Sequence, residues 1–163
     1  MHVKTGHIVH GCNAQGVMGS GVALAVKNTY PDVYEFYRQQ HDEFGLNLGE
    51  AYPVWLNDDL MIWNAITQDA FGPGFRQTSY DAVQTCFQQI NDAIKLGKSH
   101  GIPVDPDDDD PQLYVFNAPP EIHIPLIGAA RGGGNWEIIR EIIEQTMDYP
   151  VTLWLPDSTV TTL

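Results

Sequence analysis

Hydrophobic residues are spaced along this chain in two ways, and the two spacings predict an alternation of strands and helices. Short runs rich in β-branched and aromatic residues predict strands at 8–9, 51–56, 60–66, 122–127 and 151–155. The polar stretch between the second and third of these runs is typical of a hairpin connection. Because strands and helices follow one another in this order, the chain is predicted to form a layered α/β fold.

Apolar residues at three- and four-residue spacing predict the helices. The second of these is expected at 32–41, a long third helix at about 79–97, and a fourth at about 135–147. Pro31 separates the first helix from the second, because proline is disfavoured inside a helix. The end of the chain, 157–163, is expected to be a frayed tail.

Two predicted strands are each followed by a glycine-rich loop that opens a helix. The first loop contains Gly16, Gly19 and Gly21, and the second contains Gly128 and the run 132–134. Free backbone N–H groups and the helix dipole at such a helix start favour a phosphate or another anion. Since ligands of α/β sheets bind outside the carboxyl ends of the strands, two such loops facing one crevice suit a diphosphate. Either loop alone has a simpler interpretation, a tight turn that needs only small residues, and neither carries a known nucleotide-binding glycine motif.

Composition narrows the choice of ligand. The chain has 163 residues, which suits one domain, and a formal net charge of −13. This charge argues against a nucleic acid or an anionic membrane as partner, but not against a small anion held by backbone N–H groups. Cys12 and Cys86 are interpreted as reduced thiols, although a single disulfide is possible. No apolar run reaches membrane-spanning length, so a soluble, cytoplasmic protein is expected. We also expect a monomer without a cofactor or metal.

The segment 103–120 is unusually rich in aspartate and proline. The aspartates repel one another and the prolines disfavour regular structure, so a solvated loop insertion is predicted. A calcium site is the sharper alternative, because oxygen ligands cluster here. The spacing lacks the central glycine and closing glutamate of an EF-hand, which favours the solvated loop.

Four segments together resemble a macro domain, the α/β/α module that binds ADP-ribose. They are 10–23 (HGCNAQGVMGSGVA), 64–68 (NAITQ), 78–82 (TSYDA) and 125–136 (PLIGAARGGGNW). The resemblance spans nearly all of 1–163 except the acidic insertion, and it implies one domain with three layers around a mixed central sheet. The first loop and the Gly-x-Trp ending of the second are most similar to the branch holding the yeast ADP-ribose-1″-phosphate phosphatase and the terminal ADP-ribose protein glycohydrolase.

The resemblance also implies which residues touch the ligand. The first loop, from Asn13 to Val22, would hold the distal ribose and a phosphate, with Asn13 hydrogen-bonded to the ribose. The second loop, from Ile127 to Asn135, would hold the diphosphate. The implied contacts are Asn13, Ala14, Gln15, Gly16, Met18, Gly19, Ser20, Gly21, Val22, Gln68, Ile127, Gly128, Ala129, Ala130, Arg131, Gly132, Gly133, Gly134 and Asn135. His10 and Asp69, with His123 as a further candidate, are the expected acids or bases, and Asn13 the residue that would hold a water.

The chain departs from the glycohydrolases of that branch at their reactive residues. Gln68 stands where they carry a lysine, and Arg131 stands about where they carry an aspartate. An amide cannot form the covalent lysyl intermediate. The sequence therefore favours a phosphatase acting on ADP-ribose-1″-phosphate, with Arg131 on a phosphate group. The alternatives are a non-catalytic module that binds ADP-ribose or a related signalling nucleotide, and a hydrolase that removes ADP-ribose from proteins.

Overall fold

The computed structural model describes 3–72, 75–100, 113–115, 117–157 and 159–163, with side chains left undescribed at 98–100 and 113–115. Its strands and helices alternate much as the sequence predicts. In chain order they are β1 (Gly6–Asn13), α1 (Gly21–Thr29), α2 (Pro31–Phe44), β2 (Ala51–Asn57), β3 (Leu60–Gln68), α3 (Tyr80–Leu96), β4 (Lys98–His100), β5 (Leu113–Val115), β6 (Ile122–Ile124), α4 (Trp136–Thr146), β7 (Val151–Trp154) and β8 (Val160–Thr162).

Six strands form one mixed sheet in the order β2-β3-β1-β6-β7-β8. The four inner strands are parallel, and β2 and β8 run antiparallel at the two edges. Ile8 of β1 lies opposite Ile62 of β3 and His123 of β6. The carboxyl ends of β3, β1 and β6 are therefore neighbours, and the loops that leave them meet at one edge of the sheet.

Helices cover both faces of the sheet. On β3, Met61 and Trp63 pack with the buried side chains of α3 and α4, whereas Ile62 packs with Val26 of α1 and Val33 of α2. Alternate residues of a strand point to opposite faces, so a strand buried on both sides separates two cores. This arrangement confirms the predicted three-layer α/β/α fold with a mixed central sheet.

The helix ends lie where local sequence signals predict them. Pro31 begins α2, and the Ser79 side chain caps α3 by accepting a hydrogen bond from the backbone N–H of Ala82. Gly97 ends α3 in the left-handed conformation, with φ of 61°. The described helices include none long and apolar enough to cross a membrane.

Two predictions need correction. The frayed tail at 157–163 is wrong, because β8 pairs with β7 and the backbone N–H of Leu163 donates to the Val151 carbonyl at 2.9 Å. The loop predicted at 103–120 is too long, because β5 within it pairs with β4 and Ala118 is buried in the core. The acidic run and the calcium alternative fall outside the described residues.

Candidate ligand-binding site

Three loops meet at the carboxyl edge of the inner strands. Loop A (14–20) follows β1, loop B (69–79) follows β3, and loop C (125–135) follows β6. The structure describes loop B except for 73–74. Loops A and C are the two glycine-rich loops of the sequence. Because β3, β1 and β6 are adjacent and parallel, this edge is where an α/β sheet binds its ligands.

Loop A is organised by the side chain of Asn13. Its Oδ1 accepts hydrogen bonds from the backbone N–H groups of Gln15 at 2.9 Å and Val17 at 3.3 Å, and its Nδ2 donates to the Val17 carbonyl at 2.7 Å. From α2, the Tyr37 hydroxyl donates to the Asn13 carbonyl at 2.6 Å and lies 3.1 Å from Oδ1. An asparagine side chain that bonds its own following backbone fixes a tight turn.

Glycine is required at one point of loop A. Gly16 has φ of 71°, and a Cβ atom there would lie 2.8 Å from the His41 ring and 2.6 Å from an Arg38 nitrogen. Arg38 also donates to the Gly16 carbonyl at 3.2 Å and forms an ion pair with Asp42. Helix α2 thus packs tightly against the outer side of loop A.

Loop B is tied to loop A through its backbone. The Ala14 N–H donates to the carbonyls of Gln68 at 3.0 Å and Asp69 at 3.3 Å, and the Gln15 side chain donates to the Asp69 carbonyl at 3.2 Å. The Gln68 amide turns back into its own loop and donates to the Ala70 carbonyl at 2.7 Å. The Asp69 carboxylate is exposed and has no hydrogen-bond or ion-pair partner among the described residues.

Loop C is held by loop B. The backbone N–H groups of Gln77 and Thr78 both donate to the Gly132 carbonyl, and the buried Thr78 hydroxyl donates to the Gly128 carbonyl at 2.9 Å. A Cβ atom on Gly132 would lie 2.1 Å from the Thr78 hydroxyl and 2.6 Å from the Gly128 carbonyl oxygen. Loop C therefore has its shape because glycine lets two backbone segments touch.

The two helix starts differ in a way that the sequence did not reveal. At α4, Asn135 Oδ1 accepts a hydrogen bond from the Glu137 N–H at 2.9 Å, and the Glu137 carboxylate lies in the first turn. At α1, Ser20 makes no capping bond and the first turn has no acidic residue. No described residue accepts a hydrogen bond from the N–H groups of Val22 and Ala23. The open helix start that favours an anion is therefore present at α1, whereas the start of α4 is capped.

An arginine from loop C lies beside this open helix start. A Cβ atom on Gly21 would lie 3.4 Å from Cδ and 3.5 Å from Nε of Arg131. Arg131 is exposed and has no ion-pair partner among the described residues. Arg131 of loop C thus lies against the start of α1, where a cation is next to the positive end of the helix dipole.

A second arginine borders loop C. The Arg76 guanidinium lies over the Tyr80 ring, 4.2 Å from its centroid, and a Cβ atom on Gly133 would lie 3.4 Å from the Arg76 Cα. The Tyr80 oxygen accepts a hydrogen bond from the Asn135 N–H at 3.0 Å. In a chain with net charge −13, placing Arg76 and Arg131 at this edge makes it locally favourable for an anion.

The structure argues against the two candidate histidines. His10 is fully buried in β1, its Nε2 lies 2.7 Å from Asn64 Oδ1, and burial lowers its pKa to about 4. His123 is half-buried in β6, where its Nδ1 accepts a hydrogen bond from the Trp154 indole at 3.2 Å. Both rings lie within the strands, away from the loop edge. The sequence could not show that His10 is buried, because a strand buried on both faces lacks the alternation that distinguishes an inward from an outward side.

Some predicted contact residues reach the edge only through their backbone. The Met18 and Ile127 side chains are buried in the core. Gly132 is buried between Thr78 and Gly128. Sequence reasoning missed Tyr37, Arg76 and the loop-holding role of Thr78. In the sequence, Tyr37 is interpreted as a core aromatic residue and Thr78 as a possible helix cap. Their contacts with the loops depend on the fold.

The fold and this edge can be compared with known proteins. No family model matches the chain. An uncharacterized 17.5 kDa protein of Enterobacteria phage T4 is 29% identical over 142 residues, covering 85% of this chain and 77% of that protein. A protein of unknown function from Bacteroides thetaiotaomicron has a TM-score of 0.72 and 25% identity, covering 95% of this chain and 90% of that one.

Two further solved structures are named for their fold or for their bound ligand. The macrodomain protein from Streptomyces coelicolor matches with a TM-score of 0.65 and 25% identity, covering 94% of this chain and 90% of that one. Thermosipho africanus DarTG, solved in complex with ADP-ribose, matches with a TM-score of 0.68 and 18% identity, covering 93% of this chain and 38% of that one.

The sheet order, the two covering layers and the glycine loops at the carboxyl edge define an α/β/α domain with three loops gathered at that edge. Within this class the chain has the fold of a macro domain, which confirms the resemblance identified from its motifs.

Proposed function

We propose that this macro domain binds ADP-ribose or a close derivative, with the diphosphate at the start of α1. The observation that carries the proposal is the pair of free N–H groups at Val22 and Ala23 next to Arg131. Backbone donors, a helix dipole and a guanidinium together provide the complement of a diphosphate. The solved complex of Thermosipho africanus DarTG with ADP-ribose supports this ligand class.

The macro-domain resemblance supports a proposal for the rest of the ligand. It implies that Asn13, at the end of β1 beside loop A, contacts the distal ribose. Loop C forms the opposite wall, with 128–131 along the diphosphate. Met18, Ile127 and Gly132 contribute shape rather than side-chain contacts, because they are buried.

Calorimetric titration with ADP-ribose tests the placement. Wild-type protein is expected to bind saturably, and Arg131→Ala is expected to bind about tenfold more weakly, because a charge-assisted hydrogen bond contributes roughly 1.5 kcal/mol. Arg140→Ala is the matched control, since Arg140 is exposed on α4 and forms an ion pair with Glu144 on the same helix. Equal affinities for wild type and Arg131→Ala would place the diphosphate elsewhere, and no binding by wild type would refute the ligand class.

Hydrolysis of ADP-ribose-1″-phosphate is the second proposal. Asp69 favours it, because its carbonyl is fixed by Ala14 and Gln15 while its exposed carboxylate has no described partner. Such a carboxylate can accept a proton from a water that attacks the phosphorus atom, which releases inorganic phosphate and ADP-ribose. Gln68 cannot supply covalent chemistry.

Phosphorus NMR of ADP-ribose-1″-phosphate separates catalysis from binding. A growing inorganic phosphate signal that is lost in Asp69→Asn would support hydrolysis by Asp69. Asp58→Asn, in the exposed β2–β3 turn, is the control and should behave as wild type. Shifted diphosphate signals without new phosphate would indicate a binding module and would refute the phosphatase.

A further inference from the structure

The Asn13 side chain has little hydrogen-bonding capacity left for a ligand. An asparagine amide has one acceptor oxygen with two lone pairs and two N–H donors. The Gln15 and Val17 N–H groups already use the oxygen, and the Val17 carbonyl uses one N–H. One N–H of Nδ2 remains. The backbone donors also fix which end of the amide is oxygen and which is nitrogen, because an N–H cannot point at NH2.

Tyr37 is the element outside loop A that holds this amide. It is fully buried in α2, and its hydroxyl bridges the Asn13 carbonyl at 2.6 Å and Oδ1 at 3.1 Å. Burial raises the pKa of the Tyr37 phenol above its ordinary value, outweighing the backbone N–H groups of Val17 and Gly16, which lower it. The hydroxyl therefore stays protonated, and it is a permanent donor on a rigid helix.

We propose that Tyr37 is a positioning residue that orients Asn13 so that its one free N–H is presented to the distal ribose of the ligand. This inference rests on the proposed function and adds a specificity element to it. The hydroxyl touches both the main chain and the side chain of Asn13, so it fixes the backbone from which the amide projects as well as the amide itself. Preorganising a donor in this way lowers the entropic cost of binding.

The test compares two ligands that differ at the distal ribose. Tyr37→Phe removes one oxygen and keeps the ring. Calorimetry should show about a fivefold loss of affinity for ADP-ribose, the amount expected for one neutral hydrogen bond, and an unchanged affinity for ADP, which lacks that ribose. Tyr34→Phe is the matched control. It lies on the same helix, its ring is contacted by Lys27, and no described residue bonds its hydroxyl, so both affinities should match wild type.

Three outcomes are decisive. Unchanged ADP-ribose affinity in Tyr37→Phe would overturn the inference. Equal losses for ADP-ribose and ADP would also overturn it, because they would show a general structural role. If wild type binds ADP but gains nothing from the distal ribose, the proposed function fails at that subsite and the inference fails with it.

A measurement without ligand keeps the inference testable if wild type binds neither compound. In proton–nitrogen correlation spectra, Tyr37→Phe should shift the Asn13 side-chain NH2 signals and speed their exchange with water, and Tyr34→Phe should do neither. Unaltered Asn13 signals in Tyr37→Phe would show that Tyr37 does not position the amide.

Discussion

Loops A and C are similar in sequence but are built in different ways. Each leads from a parallel strand into a helix through several glycines. Loop A is held by polar side chains, Asn13 and Tyr37, and opens a helix whose start is uncapped. Loop C is held by close glycine contacts with Thr78, and its helix start is capped by Asn135.

The difference assigns a different role to each loop, although the two loops look alike in sequence. A helix start whose N–H groups are already capped has less to offer an anion, whereas an open one beside an arginine is suited to it. Loop A therefore leads into the phosphate donors at the start of α1, and loop C supplies the wall and Arg131. Apart from Gly16, where a Cβ would meet Arg38 and His41, loop A should be sensitive mainly to the removal of single polar atoms, and loop C to the addition of atoms.

The largest effect is expected from Gly132→Ala in loop C. The new Cβ would collide with the Thr78 hydroxyl and with the Gly128 carbonyl oxygen, which is backbone and cannot swing away. We expect a loss of about 3 kcal/mol in the free energy of unfolding, measured by urea titration, and loss of ADP-ribose binding. Gly19→Ala in loop A is the control, since its Cβ would meet only Val17 at 3.6 Å, and it should unfold as wild type does.

His10 in β1, the strand before loop A, and His123 in β6, the strand before loop C, should contribute differently to the pH dependence of stability. The folded-state pKa of His10, about 4, lies below the ordinary 6.5, mainly because the ring is buried. Between these two pH values the unfolded chain therefore binds more protons than the folded chain. The His10 contribution to the free energy of unfolding is fully present above about pH 6.5 and is lost towards pH 4, by up to about 3 kcal/mol. Burial also lowers the pKa of His123 beneath loop C, but that ring is only half-buried.

Urea unfolding at several pH values checks this prediction. His10→Asn should flatten the dependence between pH 4 and pH 6.5 more than His123→Asn does. His7 on the same strand should account for the dependence that remains in His10→Asn, because burial lowers its pKa to about 4 as well. An unchanged slope in His10→Asn would mean that His10 does not contribute to the titration.

Removing the polar anchor of loop A should have an intermediate effect. Asn13→Ala leaves the N–H groups of Gln15 and Val17 without their acceptor, which is expected to cost about 2 kcal/mol of stability. Thermal unfolding measures the loss. Asn28→Ala, at an exposed position on α1, should leave the melting temperature unchanged. A melting temperature of Asn13→Ala equal to that of wild type would show that the side chain does not organise loop A.

The smallest effect compares the two helix caps directly. Asn135→Ala should lower the free energy of unfolding by about 1 kcal/mol, the usual worth of an N-cap side chain. Ser20→Ala should change it by only a few tenths, because Ser20 makes no capping bond. Similar losses in both variants would remove the distinction between a capped and an open helix start.

The sequence predicted local features well and distant contacts poorly. Pro31, Ser79 and Gly97 mark helix ends through their own backbone preferences, so those boundaries were predictable. The strand β8 was missed because an edge strand of three residues is recognisable only by its partner β7.

For the candidate site, too, the sequence predicted local features but not distant contacts. The glycines located loops A and C, and the motifs gave the family. The contacts that distinguish the loops join residues far apart in sequence, Tyr37 with Asn13 and Thr78 with Gly128. Whether a serine or an asparagine before a helix actually caps it depends on its geometry, and the sequence permits a cap at both Ser20 and Asn135.

The most direct test of the account is a set of proton–nitrogen correlation spectra of the protein titrated with ADP-ribose. The account predicts that the backbone amides of Gly21, Val22 and Ala23 show the largest shifts, and that those of Glu137 and Ile138 at the start of α4 shift little. Large shifts at α4 with none at α1 would contradict it, because the diphosphate would then lie at the helix start that Asn135 already caps.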